Sequence, residues 1–495
     1  MVKSTTRRSF IEYLACFAAG EAFAAPCGSF SGGSPELVFG ATSDIHILHP
    51  NTGFKVGTAV WEKALNWYKE QGVDAVLVAG DLSEHGLTDE LVMIGEAWRK
   101  VFPGNKGANG QNVEKVFVTG NHDFEAWKYK GGGAQKMYPD PAELEKHKIA
   151  GRYQEAWRQA FGEDYEPIYM KNIKGYRFVG SHWMEGGGRQ WGRRLAEFTA
   201  AHKDELRGNK PFFYVQHPHL GNTVYPGFSR QVADDGKTAD ALKAFPNAVT
   251  FSGHSHWSLS DERSVSQGAF TSINLGSLWR SGFCRTRNAI KGYENWRTPG
   301  MRSRKKETID TDRAKTMAHY PGARKCHHAA LVKVFADRIV IERWSIAANE
   351  RVGDDWVIPL NNGLARPYDE ISRVANMPAP EFPAGAKLTV EQMTATNRGK
   401  KKVAALKLSF PAANAVKGTR PYEYQLEIID KAGNKTYRSV LAEGVELGRE
   451  SKAASGNSSI VLARATLPAG PLEFKVRPGE SFGKLGSPVT AVFEG

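Results

Sequence analysis

The pattern of apolar residues in the first half of the chain predicts buried β-strands separated by amphipathic helices. Short apolar runs rich in β-branched and aromatic residues, typical of fully buried strands, occupy residues 37–39, 75–78, 116–118, 212–215 and 248–251. Between these runs, apolar residues recur at helical spacing over residues 59–68, 90–101, 143–161 and, more weakly, 193–206. Strands that alternate with helices predict a layered α/β core.

The pattern changes at a proline-rich stretch, residues 378–383, which predicts a linker. Beyond it, helical spacing disappears and short β-rich stretches follow one another. These stretches lie at residues 387–390, 404–410, 422–429, 436–441, 459–465 and 472–476. They predict one antiparallel β-sandwich of roughly a hundred residues. We therefore expect an α/β domain over residues 36–350, a linker over 351–383 and an all-β domain over 384–495.

Metal-ligand side chains follow each of the five apolar runs in the first half of the chain. They are Asp44 and His46, Asp81, Asn121 with His122 and Asp123, His217, and His254 with His256. Carboxylate, amide and imidazole groups together suit Fe, Mn or Zn better than Ca or Mg. Because an α/β sheet places its chemistry at the carboxyl ends of its strands, we expect these side chains to meet at one edge.

In this order, the motifs resemble those of the calcineurin-like metallophosphoesterases over roughly residues 36–350. The resemblance implies a four-layer α/β/β/α sandwich, in which strands at 271–275, 329–335 and 339–344 would complete the second sheet. It also implies two metal ions and attack on a phosphoester by a hydroxide that bridges them. The implied ligands are Asp44, His46 and His256 for the first ion, Asp81 for both, and Asn121, His217 and His254 for the second.

The resemblance assigns a different role to the two residues after Asn121. His122 matches the family's non-ligand histidine, which contacts phosphate or protonates the leaving oxygen, and Asp123 would fix its tautomer. A structural role is the alternative for His122. The ligand at His217 is also open to alternatives, because alignment on the following proline selects Gln216, and His219 is a third choice.

Two other histidines, His85 and His182, also end or follow strand segments but match no family ligand. We expect them to be exposed or substrate-facing loop residues.

One departure from the family motifs helps to exclude a subfamily. Purple acid phosphatases carry a glycine at the place of His46 and an iron-binding tyrosine at the place of Glu84. A histidine in the first motif resembles the phosphodiesterase branch instead, so a phosphodiester or another phosphorylated small molecule is the expected substrate. A phosphomonoester is an alternative on the same site, and nucleic acid is a less favoured one. The alternative from another class is an exported binding protein that works through its all-β domain, but no ligand has been lost.

The net charge of +13 favours anionic substrates or surfaces. Most of it lies in residues 280–325, the basic segment, which holds thirteen Lys or Arg and four Asp or Glu. We expect either a basic rim over the metal site that steers phosphate inward, or a solvated surface loop. The C-terminal stretch 474–488 resembles the last strand pair of a fibronectin type III domain, which implies packing rather than chemistry; surface or carbohydrate binding is the alternative.

The N-terminus predicts export. Residues 6–11, which include Arg7 and Arg8, resemble the twin-arginine signal, and an apolar stretch and small residues follow up to residue 25. An amphipathic surface helix is the alternative. The signal implies the twin-arginine machinery as a partner and a periplasmic or secreted location, and no run reaches the ~18–20 apolar residues of a transmembrane helix. After removal of residues 1–25, Cys27, Cys284 and Cys326 remain, either with a Cys284–Cys326 disulfide or as three free thiols.

Overall fold

The computed structural model describes residues 32–52, 58–129, 133–184, 191–228, 233–279, 327–360, 366–396, 401–447 and 456–495. The predicted twin-arginine signal, the cysteines and the basic segment lie outside these residues. Within them, no helix combines the length and the apolar character that a membrane span requires.

Two β-sheets and the helices beside them make up the larger part of the described chain. Its strands are β1 (Leu37–Thr42), β2 (Ala75–Ala79), β3 (Glu114–Val118), β4 (Ile168–Ile173), β5 (Tyr176–Ser181), β6 (Phe212–Val215), β7 (Ala248–Ser252), β8 (Val265–Gln267), β9 (Thr271–Asn274), β10 (His328–Val334), β11 (Arg338–Ser345), β12 (Glu350–Arg351) and β13 (Trp356–Pro359). Its helices are α1 (Ala59–Glu70), α2 (Thr88–Val101), α3 (Asn121–Glu125), α4 (Gly133–Met137), α5 (Pro141–His147), α6 (Tyr153–Phe161), α7 (Trp191–Ala201), α8 (Lys203–Leu206), α9 (Lys237–Leu242) and α10 (Glu370–Asn376).

The first sheet has the strand order β12-β11-β10-β1-β2-β3, with β13 also paired to β11. Strands β1, β2 and β3 run parallel, whereas β10 and β11 join the sheet antiparallel. The second sheet has the order β4-β5-β6-β7-β9-β8, and β5, β6, β7 and β9 run parallel. Each sheet therefore contains a parallel core whose strands end at a common edge.

The two sheets share a core of aromatic and aliphatic side chains. The ring of Phe39 on β1 lies 5.2 Å from that of Phe178, 4.9 Å from that of Phe213 and 5.8 Å from that of Phe251, all in edge-to-face geometry. These three partners belong to β5, β6 and β7 of the second sheet. Such aromatic pairs contribute about 0.5–1.5 kcal/mol each in addition to the free energy of burying their surface. This contact therefore stabilises the packing of the two sheets.

Helices cover the outer side of each sheet. Trp61 of α1 and Trp98 of α2 approach Phe117 of β3 with ring centroids 6.0 and 5.6 Å away. On the second sheet, Leu195 of α7 and Leu242 of α9 are buried in one cluster with strands β5 and β6. The amphipathic spacing predicted for α1, α2 and α7 thus covers the sheets, whereas α9 was not predicted.

The described chain departs from the predicted elements in several places. The strands at 329–335 and 339–344 form β10 and β11 of the first sheet rather than completing the second, because β10 pairs with β1. The helix expected at 143–161 is broken between α5 and α6, where Ile149 N donates to Gly86 O and Gly151 has a φ of 77°. The helix expected at 193–206 is divided at His202, and β4 and β5 were not predicted.

The linker also begins later in the chain than the predicted residue 351. Strand β13 pairs with β11, and α10 is tied to β8 because the Arg373 guanidinium donates to Val265 O at 2.9 Å. Residues 356–376 therefore pack on the α/β part of the chain, and the change of pattern at residue 378 marks the transition better than residue 351.

The C-terminal β region, residues 389–495, contains two antiparallel sheets. Its elements are β14 (Thr389–Thr396), β15 (Lys402–Pro411), β16 (Glu423–Asp430), β17 (Lys435–Leu441), α11 (Glu443–Leu447), β18 (Asn457–Ala463), β19 (Leu472–Gly479) and β20 (Val489–Phe493). The sheets have the orders β14-β15-β18 and β17-β16-β19-β20. Alternate residues such as Leu408, Leu426 and Phe474 fill one core between them, as period-two burial requires.

Candidate metal centre

The predicted ligands lie just beyond the ends of neighbouring parallel strands. Asp44 and Asp81 come two residues after β1 and β2, and Asn121 comes three residues after β3. His217 and His254 come two residues after β6 and β7 of the second sheet. The common edge of the two sheets therefore brings together residues more than 200 positions apart.

The first group of candidate ligands consists of Asp44, His46 and His256. The Nε2 atom of His256 lies 3.2 Å from Oδ1 of Asp44 and 3.2 Å from Nε2 of His46. Asp44 is fully buried, and its Oδ1 has no hydrogen-bond partner among the described residues. A buried carboxylate oxygen that faces imidazole nitrogens without a hydrogen bond is what a metal ligand requires.

The second group consists of Asp81, His217 and His254, joined by Asn121. The Nε2 atom of His217 lies 3.1 Å from Oδ2 of Asp81, 3.1 Å from Oδ1 of Asn121 and 3.0 Å from Nδ1 of His254. The same Asp81 oxygen lies 3.6 Å from Nε2 of His46 in the first group. One carboxylate oxygen thus stands between the two groups.

Hydrogen bonds on the far side of two imidazole rings orient them as ligands. Nδ1–H of His217 donates to Ala79 O at 2.8 Å, and Nδ1–H of His46 donates to the Glu84 carboxylate at 2.6 Å. Each ring therefore points its Nε2 atom at the oxygens of the cluster. Imidazole ligands whose other nitrogen is held by a carbonyl or carboxylate are typical of metal sites, so the donor set fits a bound metal.

Glycines in the motifs allow these close approaches. A Cβ atom on Gly120 would lie 2.2 Å from Oδ1 of Asp81, and one on Gly253 would lie 1.7 Å from Oγ of Ser43 and 2.4 Å from Oδ2 of Asp44. Any side chain at either position would displace a ligand or its support. The glycines at these two positions are thus required by packing.

Five of the ligands have a left-handed backbone, which is uncommon for residues other than glycine. Their φ angles are 52° for Asp44, 49° for His46, 49° for Asp81, 68° for His254 and 51° for His256. This conformation costs of order 1–3 kcal/mol per residue and persists only where surrounding contacts impose it. Here Asp44 N donates to Gly80 O and His254 N donates to Oδ2 of Asp44, both at 2.9 Å.

The charges of the site favour a positive ion. Burial alone would lower the pKa of His217, but the Asp81 carboxylate outweighs it and raises that pKa to about 9. Burial likewise opposes ionisation of Asp81, yet His217 and His122 hold its pKa well below the usual range. The carboxylates therefore remain ionised at neutral pH, and their field stabilises positive charge where the imidazoles meet them.

The partners of His122 differ from the prediction. Nδ1–H of His122 donates to the backbone oxygen of Glu84 at 2.9 Å, and the Glu84 carboxylate lies 3.4 Å from the same nitrogen. The Asp123 carboxylate instead accepts hydrogen bonds from Ser83 N and Oγ and from Gly120 N. The prediction that Asp123 fixes the tautomer of His122 is wrong, because its side chain turns toward the loop after β2.

The structure separates the three alternatives after β6. His217 lies in the metal-ligand cluster. The Gln216 amide donates to Pro218 O and to Asp234, and both ring nitrogens of His219 contact serine hydroxyls, those of Ser252 and Ser255. Gln216 and His219 therefore support the turn around His217.

The other two histidines are buried, contrary to expectation. His85 is held by Glu90, with its Nδ1 2.8 Å from the carboxylate. Nδ1 of His182 accepts a hydrogen bond from Thr119 N, and the ring packs against Tyr165 and Trp157. Both are structural.

Aromatic side chains that the motifs did not reveal border the ligands. Trp279 lies against His46 with ring centroids 4.9 Å apart, and Trp183 lies 6.1 Å from both His217 and His254. Tyr129, which is 49 % exposed, lies 5.5 Å from His122. Apolar walls lower the local dielectric and strengthen the electrostatic interactions inside the site. These residues, like the role of Glu84, carried no spacing signal in the sequence.

Comparison with known proteins finds a family match over the region that holds the site. The family model described as calcineurin-like phosphoesterase matches residues 37–258. No curated protein matches the chain.

Solved structures similar to the chain include a dimetal phosphatase from Danio rerio, with 10% identity over 66% of this chain and 100% of that one and a TM-score of 0.37. A conserved protein from Streptococcus pneumoniae, described as a predicted phosphoesterase, has 13% identity over 65% and 97% of the two chains and a TM-score of 0.28. Vacuolar protein sorting 29 from Cryptosporidium parvum has 12% identity over 65% and 95%, with a TM-score of 0.27.

The site and the family match together define the class of protein. The chain is a metal-dependent phosphoester hydrolase. The match to the calcineurin-like phosphoesterase model spans residues 37–258, and the predicted ligands between Asp44 and His256 all fall inside it.

Proposed function

We propose that the chain is an exported phosphodiesterase that works with two metal ions. The observation that carries the proposal is the position of Asp81 Oδ2, 3.6 Å from Nε2 of His46 and 3.1 Å from Nε2 of His217. One oxygen within reach of both ligand groups is the arrangement that two adjacent ions require. Asp44, His46 and His256 would hold one ion, Asn121, His217 and His254 the other, and Asp81 both.

The ions would activate a water and neutralise charge on the phosphoryl oxygens, and the mixed O/N ligands suit Mn, Fe or Zn. The protein's own contribution at the reacting phosphate is His122, whose side chain is 21 % exposed at the mouth of the site. Because its Nδ1–H donates to Glu84 O, Nε2 is the nitrogen left for the substrate. In the imidazolium form, Nε2–H would give its proton to the leaving oxygen as the P–O bond breaks.

The substrate preference is tested with a matched pair of aryl esters. Bis-p-nitrophenyl phosphate and p-nitrophenyl phosphate have the same leaving group and differ in the charge and size of the phosphoryl part. With added Mn²⁺ we expect a higher kcat/KM for the diester, and loss of both activities with a chelator. A higher kcat/KM for the monoester would make the chain a phosphomonoesterase, and cleavage of single-stranded DNA in preference to both would make it a nuclease. Tight metal binding without hydrolysis would favour the binding-protein alternative.

Two finer features of architecture belong to the same proposal. Helices against the outer faces of two packed sheets support a four-layer α/β/β/α sandwich. In the C-terminal β region, a three-stranded and a four-stranded antiparallel sheet around one core support a fibronectin type III-like fold.

Export by the twin-arginine route would allow the metal to be inserted before the protein leaves the cytoplasm. Outside, raw affinity would favour Cu and Zn over Mn or Fe, whereas folding inside would trap the weaker-binding ions. Replacing Arg7 and Arg8 by lysines should leave active precursor in the cytoplasm, measured as activity and metal content of cell fractions. Export of that variant through an unfolded route would contradict this part of the proposal.

A further inference from the structure

The loop that follows the last two predicted ligands is unusually rich in buried polar groups. Residues 257–264, the 257–264 loop, begin immediately after His256 and end where β8 starts at Val265. Within it, Ser258, Asp261 and Ser264 are fully buried, and Ser260 and Arg263 are 1 % and 2 % exposed. Buried polar groups need hydrogen-bond partners, so the partners of this loop show what holds it in place.

Part of that support comes from the α/β domain itself. The Asp261 carboxylate accepts from Nε1 of Trp257 at 2.7 Å and pairs with the Arg263 guanidinium. The backbone oxygen of Leu259 accepts from Arg343 at 2.8 Å, and that of Trp257 accepts from Asn274 at 2.8 Å. These contacts, together with the ring of Tyr225, whose centroid lies 5.1 Å from that of Trp257, support the loop from the inner side. Further partners come from outside the α/β domain.

The C-terminal β region supplies those partners. The Arg420 guanidinium donates to Ser260 O and, at 2.7 Å, to Val352 O of the α/β domain. The Ser260 hydroxyl donates to Val445 O at 3.4 Å. The ring of Trp257, next to the ligand His256, packs against a cluster formed by Tyr422, Leu441 and Val445.

A partly buried charge cluster joins the same two parts of the chain. Oε1 of Glu262 lies 3.0 Å from the Arg343 guanidinium and 3.7 Å from that of Arg420. Burial would raise the pKa of Glu262, but Arg343 and Arg420 outweigh it and lower that pKa to about 2. The guanidinium of Arg263 lies 4.9 Å from the ring centroid of Tyr422. Arg420 and Tyr422 thus contact the loop by charge, hydrogen bond and ring.

We propose that the C-terminal β region is a structural part of the metal centre: through Arg420, Tyr422 and Val445 it holds the 257–264 loop, and through the loop it positions His254 and His256. This inference rests on the proposed metal-binding function. The two histidines belong to different ligand groups and both have a left-handed backbone, so a shift of the loop disturbs both ion sites. Arg420 is accordingly a positioning residue that touches neither metal nor substrate.

The coupling is reciprocal by thermodynamic necessity. If docking of the C-terminal β region strengthens metal binding, then bound metal must strengthen docking by the same factor. Metal added at the edge of the sheets should therefore protect backbone amides in residues 420–423 and 443–447, although these residues supply no ligand.

The first experiment measures metal affinity of the full chain by titrating Mn²⁺ or Zn²⁺ into chelator-stripped protein. Arg420→Ala should weaken metal binding by about 10–100-fold, as loss of an outer-shell support does. Arg420→Lys should restore part of it, since lysine keeps the charge but not the forked hydrogen bonds. The matched control is Arg464→Ala, because Arg464 also donates to a backbone oxygen, that of Pro468, but only within the C-terminal β region. Arg464→Ala should bind metal like the unchanged protein.

The second experiment needs no variant that could fail to fold. Hydrogen exchange of the unchanged protein is compared with and without the same metal, and slower exchange at 420–423 and 443–447 is expected. Equal metal affinity of Arg420→Ala and unchanged protein, or metal-independent exchange in these segments, would overturn the inference while leaving the hydrolase intact. Absence of metal binding by the unchanged protein would instead refute the proposed function.

Discussion

Replacing Asp81 by asparagine should remove metal from both ion sites and abolish turnover. One oxygen of Asp81 lies 3.6 Å from His46 Nε2 and 3.1 Å from His217 Nε2, so its charge is shared by both ligand groups. The loss of metal affinity should exceed the roughly 10–100-fold typical of an outer-shell partner. Metal content per chain and the rate with bis-p-nitrophenyl phosphate measure the two effects.

Asparagine is a sharper replacement here than alanine. Asp81 has a φ of 49°, which asparagine tolerates and alanine adopts at a cost of roughly 1–2 kcal/mol. Asparagine also retains the oxygen that accepts from His122 N at 2.9 Å. Asp81→Ala should lose metal and turnover too, with additional loss of stability. Asp240→Ala, which removes a surface pair with Lys243, is the control and should behave as unchanged protein. Two tightly bound ions and near-normal turnover in Asp81→Asn would refute the site assignment.

Replacing His122 by alanine should leave the metal bound but reduce turnover by roughly a hundredfold or more, as for loss of a general acid. The reason is the orientation of the ring. Its Nδ1 is turned to Glu84, and its ring stands edge-on to His46 at 4.6 Å without joining the two ligand groups around Asp81. Metal content and single-turnover rates of the stripped and reloaded protein separate the two effects.

The control for His122→Ala is His202→Ala, which removes an imidazole from a surface pair with Glu205. His202→Ala should change neither the metal content nor the single-turnover rate. A further distinction comes from the leaving group. If His122 protonates the leaving oxygen, the defect should shrink for aryl esters with more acidic phenols and grow for alkyl esters. Loss of metal in His122→Ala would move His122 into the ligand set with His46 and Glu84, which lie near it.

Local sequence pattern was sufficient for the strands that carry the site. The runs before Asp44, Asp81, Asn121, His217 and His254 are continuous and apolar, since these strands are covered on both faces, and each appears as a strand in the described chain. The candidate ligands could be predicted from the order of their motifs, although a single imidazole directly after a buried strand can be structural, as His182 is. Neither inference needed information about long-range packing.

Long-range packing settled what the local pattern left open or predicted wrongly. The segment 143–161 has helical spacing throughout, yet it is interrupted because its centre pairs with the loop at Gly86 and Leu87. Strands β10 and β11 joined the first sheet because β1 offered an open edge, which periodicity alone does not reveal. The Asp123 carboxylate accepts hydrogen bonds from Ser83 and Gly120 rather than from His122.

The contacts that complete the metal centre are those least visible in the chain. Glu84 orients both His46 and His122, and its role depends on the turn after β2. Arg420 reaches Ser260 across 160 residues. A hydrophobic period reports which face of a strand or helix is buried, but not which distant surface covers it. The candidate ligands were therefore predicted from local motifs. The contacts that hold these side chains in place depend on the packing of the sheets, the loops and the C-terminal β region.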